Sequence, residues 1–240
     1  MTNQPEGGTI TVHDKPTNLP ETQADGAPLK PITQVLLERR ATNHFLPEEV
    51  PEEYLNAILR LAAQAPSGYN LQPWRFIVVR GEENRKRLQA VAFGQPKVAE
   101  APVVVIAVGM KEEWKARADE VFREGAERGA GSIDAWEKYR DGALQFLNGM
   151  QHMPTWVNRH TMIAFTTMML AAEAYGFDTA PMEGFDAAGV KREFGIPEEG
   201  EVVALLAIGR AAGAEKAYPG RFELPRIVYA ERYGEAWGEE

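Results

Sequence analysis

Residues 65–76 read Ala65-Pro66-Ser67-Gly68-Tyr69-Asn70-Leu71-Gln72-Pro73-Trp74-Arg75-Phe76, and the chain runs on as Ile77-Val78-Val79 before Arg80-Gly81. Pro66-Ser67-Gly68 is a turn signal, and the aromatic and β-branched run from Trp74 predicts a strand that closes at Gly81. The turn offers the Ser67 hydroxyl, the Asn70 amide and backbone donors just ahead of that strand, which is how a protein reads the polar edge of a flat heterocycle. Upstream, Tyr54, Leu55, Ile58, Leu59 and Ala62 recur at helical spacing behind the first-turn proline Pro51 and stop before Pro66. An earlier helix, carried by Ile32, Val35 and Leu36, runs to about Arg40. Downstream, a polar helix over 82–92 leads to a second strand at 103–108, whose unbroken apolar character requires burial on both faces. A charged helix over 111–128 and an aromatic-rich one over 133–153 follow, separated by a glycine-rich break. Then come the most apolar helix, 155–175, a short helix between Asp186 and Gly195, and a third buried strand at 202–208. A brief extended run over 226–229, with Tyr233 and Trp237 beyond it, closes the chain. Such a pattern in 240 residues describes one α/β or α+β domain with an appendage.

The appendage is residues 1–31, which carry Pro5, Pro16, Pro20, Pro28 and Pro31 and no aromatic residue, and are expected to form a flexible or surface-draped arm ahead of a domain over 32–240. The whole chain is 44% hydrophobic and 25% charged, a composition that builds a core. Its formal net charge of −9 argues against nucleic-acid binding, which needs a basic surface. The absence of cysteine removes thiol nucleophiles, disulfides and sulfur-ligated metals. Ser67 and Ser132 are the only serines, and neither stands in a nucleophile elbow; His13, His44, His152 and His160 form no H-E-x-x-H, so no metal site is expected. The N-terminus lacks the pattern of a secretory signal, and the apolar stretches at 101–110 and 162–172 fall short of the ~20 residues that span a bilayer. A cytoplasmic protein without a membrane partner is the expectation.

Two further segments carry chemistry. In Glu38-Arg39-Arg40-Ala41-Thr42-Asn43-His44-Phe45, adjacent arginines at a helix C-terminus suit either a phosphate monoester or a plain dipole-complementing terminus. Later, Ala180-Pro181-Met182-Glu183-Gly184-Phe185-Asp186 precedes the short helix, and Gly220-Arg221 precedes Ile227-Val228. These segments, in this order and spacing with Pro66-Ser67-Gly68-x-Asn70-x-Gln72-Pro73-Trp74, resemble the FMN-dependent nitroreductase family over roughly residues 31–235.

The resemblance implies an α+β fold of three layers, a central mainly antiparallel sheet flanked by helices, in an intertwined homodimer with FMN at the subunit interface. It places Arg39, Arg40 and Arg221 on the phosphate, and Pro66, Ser67 and Asn70 at the flavin ring or ribityl chain. Gln95 and Lys97 fall at the pyrimidine edge, with Asn43 and Pro181 also toward the cofactor, and Glu183 and Gly184 present backbone N–H groups near flavin N5. Ala41 and Asn43 depart from the family pattern, which often has a serine and a basic residue there. The implied reaction is ping-pong: NADH or NADPH gives hydride to flavin N5, and a flat electrophile, a nitroaromatic, quinone or activated alkene, then takes it. Chemistry carried by a flavin needs no protein nucleophile, so no catalytic side chain is expected. Acceptor choice falls to residues 111–153, a variable or lid segment, where Phe122 and Trp136 are the candidate substrate contacts beside Gly125, Gly129 and Gly131; residues 219–240 are expected to dock on the partner subunit. Two other readings are a family member that consumes its flavin or dehydrogenates a bound substrate, and a flavin-binding dimer without turnover.

Overall fold

The computed structural model describes residues 16–128, 132–213 and 217–238. Elements follow in chain order: α1 (Ile32–Glu38), α2 (Glu52–Ala62), a 3-10 turn (Gly68–Asn70), β1 (Trp74–Val79), α3 (Glu82–Val91), α4 (Pro96–Glu100) and β2 (Val103–Met110). They continue with α5 (Glu113–Glu127), α6 (Ile133–Asn148), α7 (Met153–Ala174), β3 (Asp178–Met182), α8 (Ala187–Phe194), β4 (Gly200–Gly209) and a second 3-10 turn (Leu224–Arg226). The four strands form one antiparallel sheet in the order β1-β2-β4-β3.

Alternation along the two central strands sorts the molecule into layers. Val103, Val105 and Ala107 of β2 join Val203, Leu206 and Ile208 of β4 on one face, against Leu55 and Ile58 of α2 and Phe165, Met168 and Ala172 of α7. Val104, Ile106, Val108 and Met110 point to the other face, where Leu88 of α3, Val98 of α4 and Val190 of α8 meet them. A bulge between Ala107 and Val108 shifts the register against β4 and puts adjacent Val203 and Ala204 on the same face. With every residue of β2 buried, each large aliphatic side chain contributes about 1.5–3 kcal/mol. The result is the expected three-layer α+β fold, helix, antiparallel sheet, helix. No described helix is long and apolar enough to cross a membrane.

Three details differ from the sequence reading. β3 and α4 form where only loop was anticipated: Asp178–Met182 is an edge strand containing Pro181, and Pro96–Glu100 is a single turn opened by proline. The expected extended run at 226–229 is instead the exit of the 3-10 turn begun by Leu224 and Pro225. α5 and α6 form a hairpin that closes its own apolar cluster of Trp114, Ala118, Phe122, Ala143 and Leu147, sealed by Leu71, Trp156 and Val157.

Residues 17–31 run along the C-terminal end of α7. The Ala24 N–H donates to the Tyr175 carbonyl at 3.2 Å, Tyr54 Oη donates to the Gln23 carbonyl at 3.1 Å, and Leu19 packs on the α2/α7 core. The strongest tie is Lys30 Nζ to Glu173 Oε1 at 2.6 Å, with Glu38 3.4 Å away on the other side. Burial raises the Glu173 pKa, and Lys30 only partly counters it; burial pulls the Lys30 ammonium down, but its two carboxylates leave it raised. Lys30→Met therefore strands a buried carboxylate and should cost about 3 kcal/mol at pH 7.5 in urea unfolding. The penalty should shrink as pH is lowered into the acid range, because burial raises the Glu173 pKa and a protonated Glu173 needs no partner; a penalty independent of pH would reject this account.

Candidate active site

The residues singled out in the sequence fall into two groups on opposite edges of the sheet. One lies along β3. After α1 ends, the chain turns at Arg39 and runs beside the start of β3: Ala41 bridges Thr179 in parallel, and the Thr42 N–H donates to the Thr179 carbonyl at 3.1 Å. Arg40 caps α1, donating to the Leu37 and Arg39 carbonyls at 2.7 and 2.9 Å, and its guanidinium stands 4.6 Å from the centre of the Tyr218 ring. Arg221 approaches the same ring at 5.5 Å. Neither has a carboxylate partner among the described residues, and Arg39 Nη1 is buried with no acceptor among them. Two guanidiniums, those of Arg40 and Arg221, thus share one ring without a carboxylate partner among the described residues, so helix capping and anion binding both describe Arg40.

The band continues to the far end of β3. His44 Nδ1 and Glu100 Oε2 are 3.0 Å apart, tying the segment after Arg40 to α4, the element that carries Lys97. Gln95, which opens α4, donates from Nε2 to the Gly184 carbonyl at 2.7 Å. Pro181 is half-buried in β3, while Glu183 and Gly184 are exposed just beyond it, and their N–H groups donate to no acceptor among the described residues. Asn43 is exposed on the loop between Thr42 and His44.

The second group sits before β1. Three consecutive strand spacings, roughly 14 Å, separate β1 from β3, so Pro66, Ser67 and Asn70 do not join the arginine band within one chain. Their loop is held in an unusual shape: Tyr69, Asn70 and Gln72 have φ of 55°, 55° and 45°, three left-handed residues that are not glycine. Such strain persists only where surroundings enforce it, and it concentrates at working sites. Ser67 Oγ accepts from the Gln72 N–H at 2.9 Å, and the Gly68 N–H donates to His160 Nδ1 at 3.3 Å. The Tyr69 ring leans on Tyr139 and Phe146 of α6 at 5.7 and 6.3 Å, coupling the loop to the α5–α6 hairpin.

Phe122 and Trp136 face each other across that hairpin with ring centres 6.0 Å apart, beside a cleft of about 280 Å³ that Arg123, Glu137 and Arg140 also line. Phe122 itself is buried. Gly125 is a packing notch, because a Cβ there would stand 2.8 Å from the Trp136 ring; Gly129 and Gly131 lie outside the described residues. Residues the sequence did not mark are Tyr218, which no periodic pattern flags, and His160, which reads as an ordinary core histidine.

His160 is kept below its ordinary pKa by burial and then by the Arg159 charge. The unfolded chain therefore binds this proton more readily, so the contribution of His160 is complete above pH 6.5 and is lost as pH falls below it. Urea unfolding should show stability declining from pH 7.5 to 5.5, and His160→Asn should decline less; parallel declines would rule His160 out as the source.

The sheet thus carries arginines without carboxylate partners among the described residues along one edge and a strained polar loop ahead of the other. The model of the nitroreductase family matches residues 36–210, and the chain belongs to that family. It is 36% identical over 193 residues to a protein of Thermus thermophilus named NADH dehydrogenase, covering 80% of this chain and 92% of that one. It is 30% identical over 182 residues to MhqN of Bacillus subtilis, named for NAD(P)H nitroreductase activity, covering 75% and 88%. Among solved structures, ydfN of Bacillus subtilis, described as a nitroreductase, superposes with a TM-score of 0.76 at 28% identity, covering 82% of this chain and 97% of that one. A nitroreductase-type protein of Exiguobacterium sibiricum, solved in complex with FMN, superposes with a TM-score of 0.77 at 24% identity, covering 84% and 98%. Family membership makes the protein an NAD(P)H-dependent oxidoreductase.

Proposed function

We propose that the protein binds FMN and uses NADH or NADPH to reduce a flat electrophile such as a nitroaromatic, a quinone or an activated alkene. The observation that carries this reading is the pairing of Arg40 and Arg221 on the Tyr218 ring without a carboxylate partner among the described residues, which fits the phosphate of a flavin mononucleotide; the adjacent Arg39, whose Nη1 is buried without an acceptor among those residues, is a third candidate. When bound, FMN supplies a ring that accepts a hydride from the nicotinamide and gives it to the acceptor. The chain supplies the rest: Arg39, Arg40 and Arg221 hold the phosphate, and Lys97 brings positive charge to the pyrimidine edge. Gln95 fixes the Gly184 carbonyl, which leaves the N–H groups of Glu183 and Gly184 free to donate to the ring.

Ser67 and Asn70 reach the same cofactor only from a second chain, because their loop is on the opposite sheet edge. A homodimer with shared flavin sites would bring the two groups together, and the surface supports this reading: Ile32, Leu36 and Leu37 of α1 and Phe222, Leu224, Ile227 and Trp237 of the tail are all exposed. Residues 219–240 are proposed to cover the partner, the α5–α6 hairpin with Phe122 and Trp136 to border the acceptor, and, of the arm over 1–31, residues 17–31 to remain outside the catalytic unit, residues 1–15 lying outside the described residues.

The purified protein should be yellow, lose its colour anaerobically with NADH or NADPH, and regain it with a quinone or nitroaromatic. A colourless protein that takes up no added FMN would overturn the flavin reading, and bleaching that no small acceptor reverses would favour a flavin-consuming activity. Arg221→Ala should weaken FMN binding by about 1–3 kcal/mol in a fluorescence titration, the cost of a charge-assisted contact. An unchanged affinity would remove Arg221 from the phosphate site.

A further inference from the structure

The loop over 66–72 is strained at three residues, yet few groups outside it hold its backbone. The Asn70 N–H donates to the Ser67 carbonyl at 3.0 Å and the Leu71 N–H to the Gly68 carbonyl at 3.1 Å, bonds that close the loop on itself. Ser67 Oγ is likewise spent on Gln72. The direct tie to the helical layer is the Gly68 N–H, which donates to His160 Nδ1 at 3.3 Å. His160 is well placed to anchor it. One turn earlier on α7, Trp156 meets the imidazole edge-on with ring centres 4.5 Å apart, fixing the ring plane. Gly68 lies so close that a Cβ would stand 3.2 Å from both His160 Nε2 and Trp156 Cζ2, so the loop is seated on these two rings through the one residue without a side chain.

We propose that His160 is a positioning residue for the cofactor, setting, through the Gly68 amide, the loop conformation in which Ser67 and Asn70 face the flavin. The donor is an N–H, so Nδ1 must offer its lone pair and the ring proton resides on Nε2. Burial and the neighbouring Arg159 charge disfavour a second proton, which keeps that lone pair available. Without an acceptor at this point, the Gly68 N–H is left unsatisfied on a half-buried surface, and the three left-handed residues keep only the side-chain packing of Tyr69 and Leu71 as restraint from outside the loop. The role in binding rests on the flavin reading; the role in loop geometry does not, and the two separate experimentally.

His160→Asn places Oδ1 where Nδ1 stood and keeps an acceptor, whereas His160→Leu keeps bulk and removes it. Amide hydrogen exchange over residues 66–72, read without flavin, should match wild type in the Asn variant and rise at least tenfold in the Leu variant. FMN affinity should stay within about threefold of wild type for Asn and fall about tenfold or more for Leu, with melting temperatures of the two variants alike. If the Leu variant does not fold, His160→Ala removes the acceptor without bulk and takes its place. Wild-type exchange and affinity in the Leu or Ala variant would overturn the proposal, as would an Asn variant no better than Leu. The expected exchange pattern with equal FMN affinity in every variant would overturn the link to the cofactor. The same pattern in a wild-type protein that takes up no FMN would support His160 as the loop anchor while the flavin reading fell.

Discussion

The fold depends on two strands that see no water. β2 is buried along its whole length, and β4 along all but one residue, so both faces of the sheet centre must be covered by helices. Burial of backbone also obliges every N–H and C=O to find a partner, which the antiparallel ladders between β1, β2, β4 and β3 provide. Once the centre is sealed in this way, chain that faces solvent and carries polar side chains is available only at the two edges and the strand ends. The arginine band on the β3 edge and the strained loop ahead of β1 are where that constraint leaves them.

The two edges solve different physical problems. Along β3 the difficulty is charge: guanidiniums crowd together in a chain with a net charge of −9, and the Tyr218 ring stands against two of them, its face taking the place of a carboxylate. Ahead of β1 the difficulty is conformation, since left-handed Tyr69, Asn70 and Gln72 cost free energy that packing of Leu71 under Trp114 and Trp156 helps to offset. The Gly125 notch belongs to the same economy of shape, letting α5 and α6 close around Trp136.

Legibility of the sequence followed the length and pattern of each element. Trp74–Val79 is apparent residue for residue because its β-rich run lies between a turn and a glycine, and the buried centre of β2 and β4 shows as unbroken apolar sequence. β3 escapes because five residues with an internal proline look like loop; only pairing with β4 makes them a strand. α4, one turn long, has too few residues for any period. In the candidate site the paired arginines and the Pro66–Gln72 string are readable as chemistry, yet their separation to opposite edges is a property of strand order. Tyr218 and His160 are invisible because each makes its telling contact with a residue distant in sequence, Arg40 and Gly68, which no local pattern reports.

The contact between Lys30 and Glu173 spans 143 positions. A ribosome makes residues 17–31 well before the surface they lie against, the end of α7, which is synthesised later. Until then Lys30 has no buried carboxylate to meet and Leu19 no core to rest on. Closing so long a loop costs entropy that the contacts with α7 offset only once the sheet and α7 are in place, so this early-made segment depends for its place on a helix made more than a hundred residues after it.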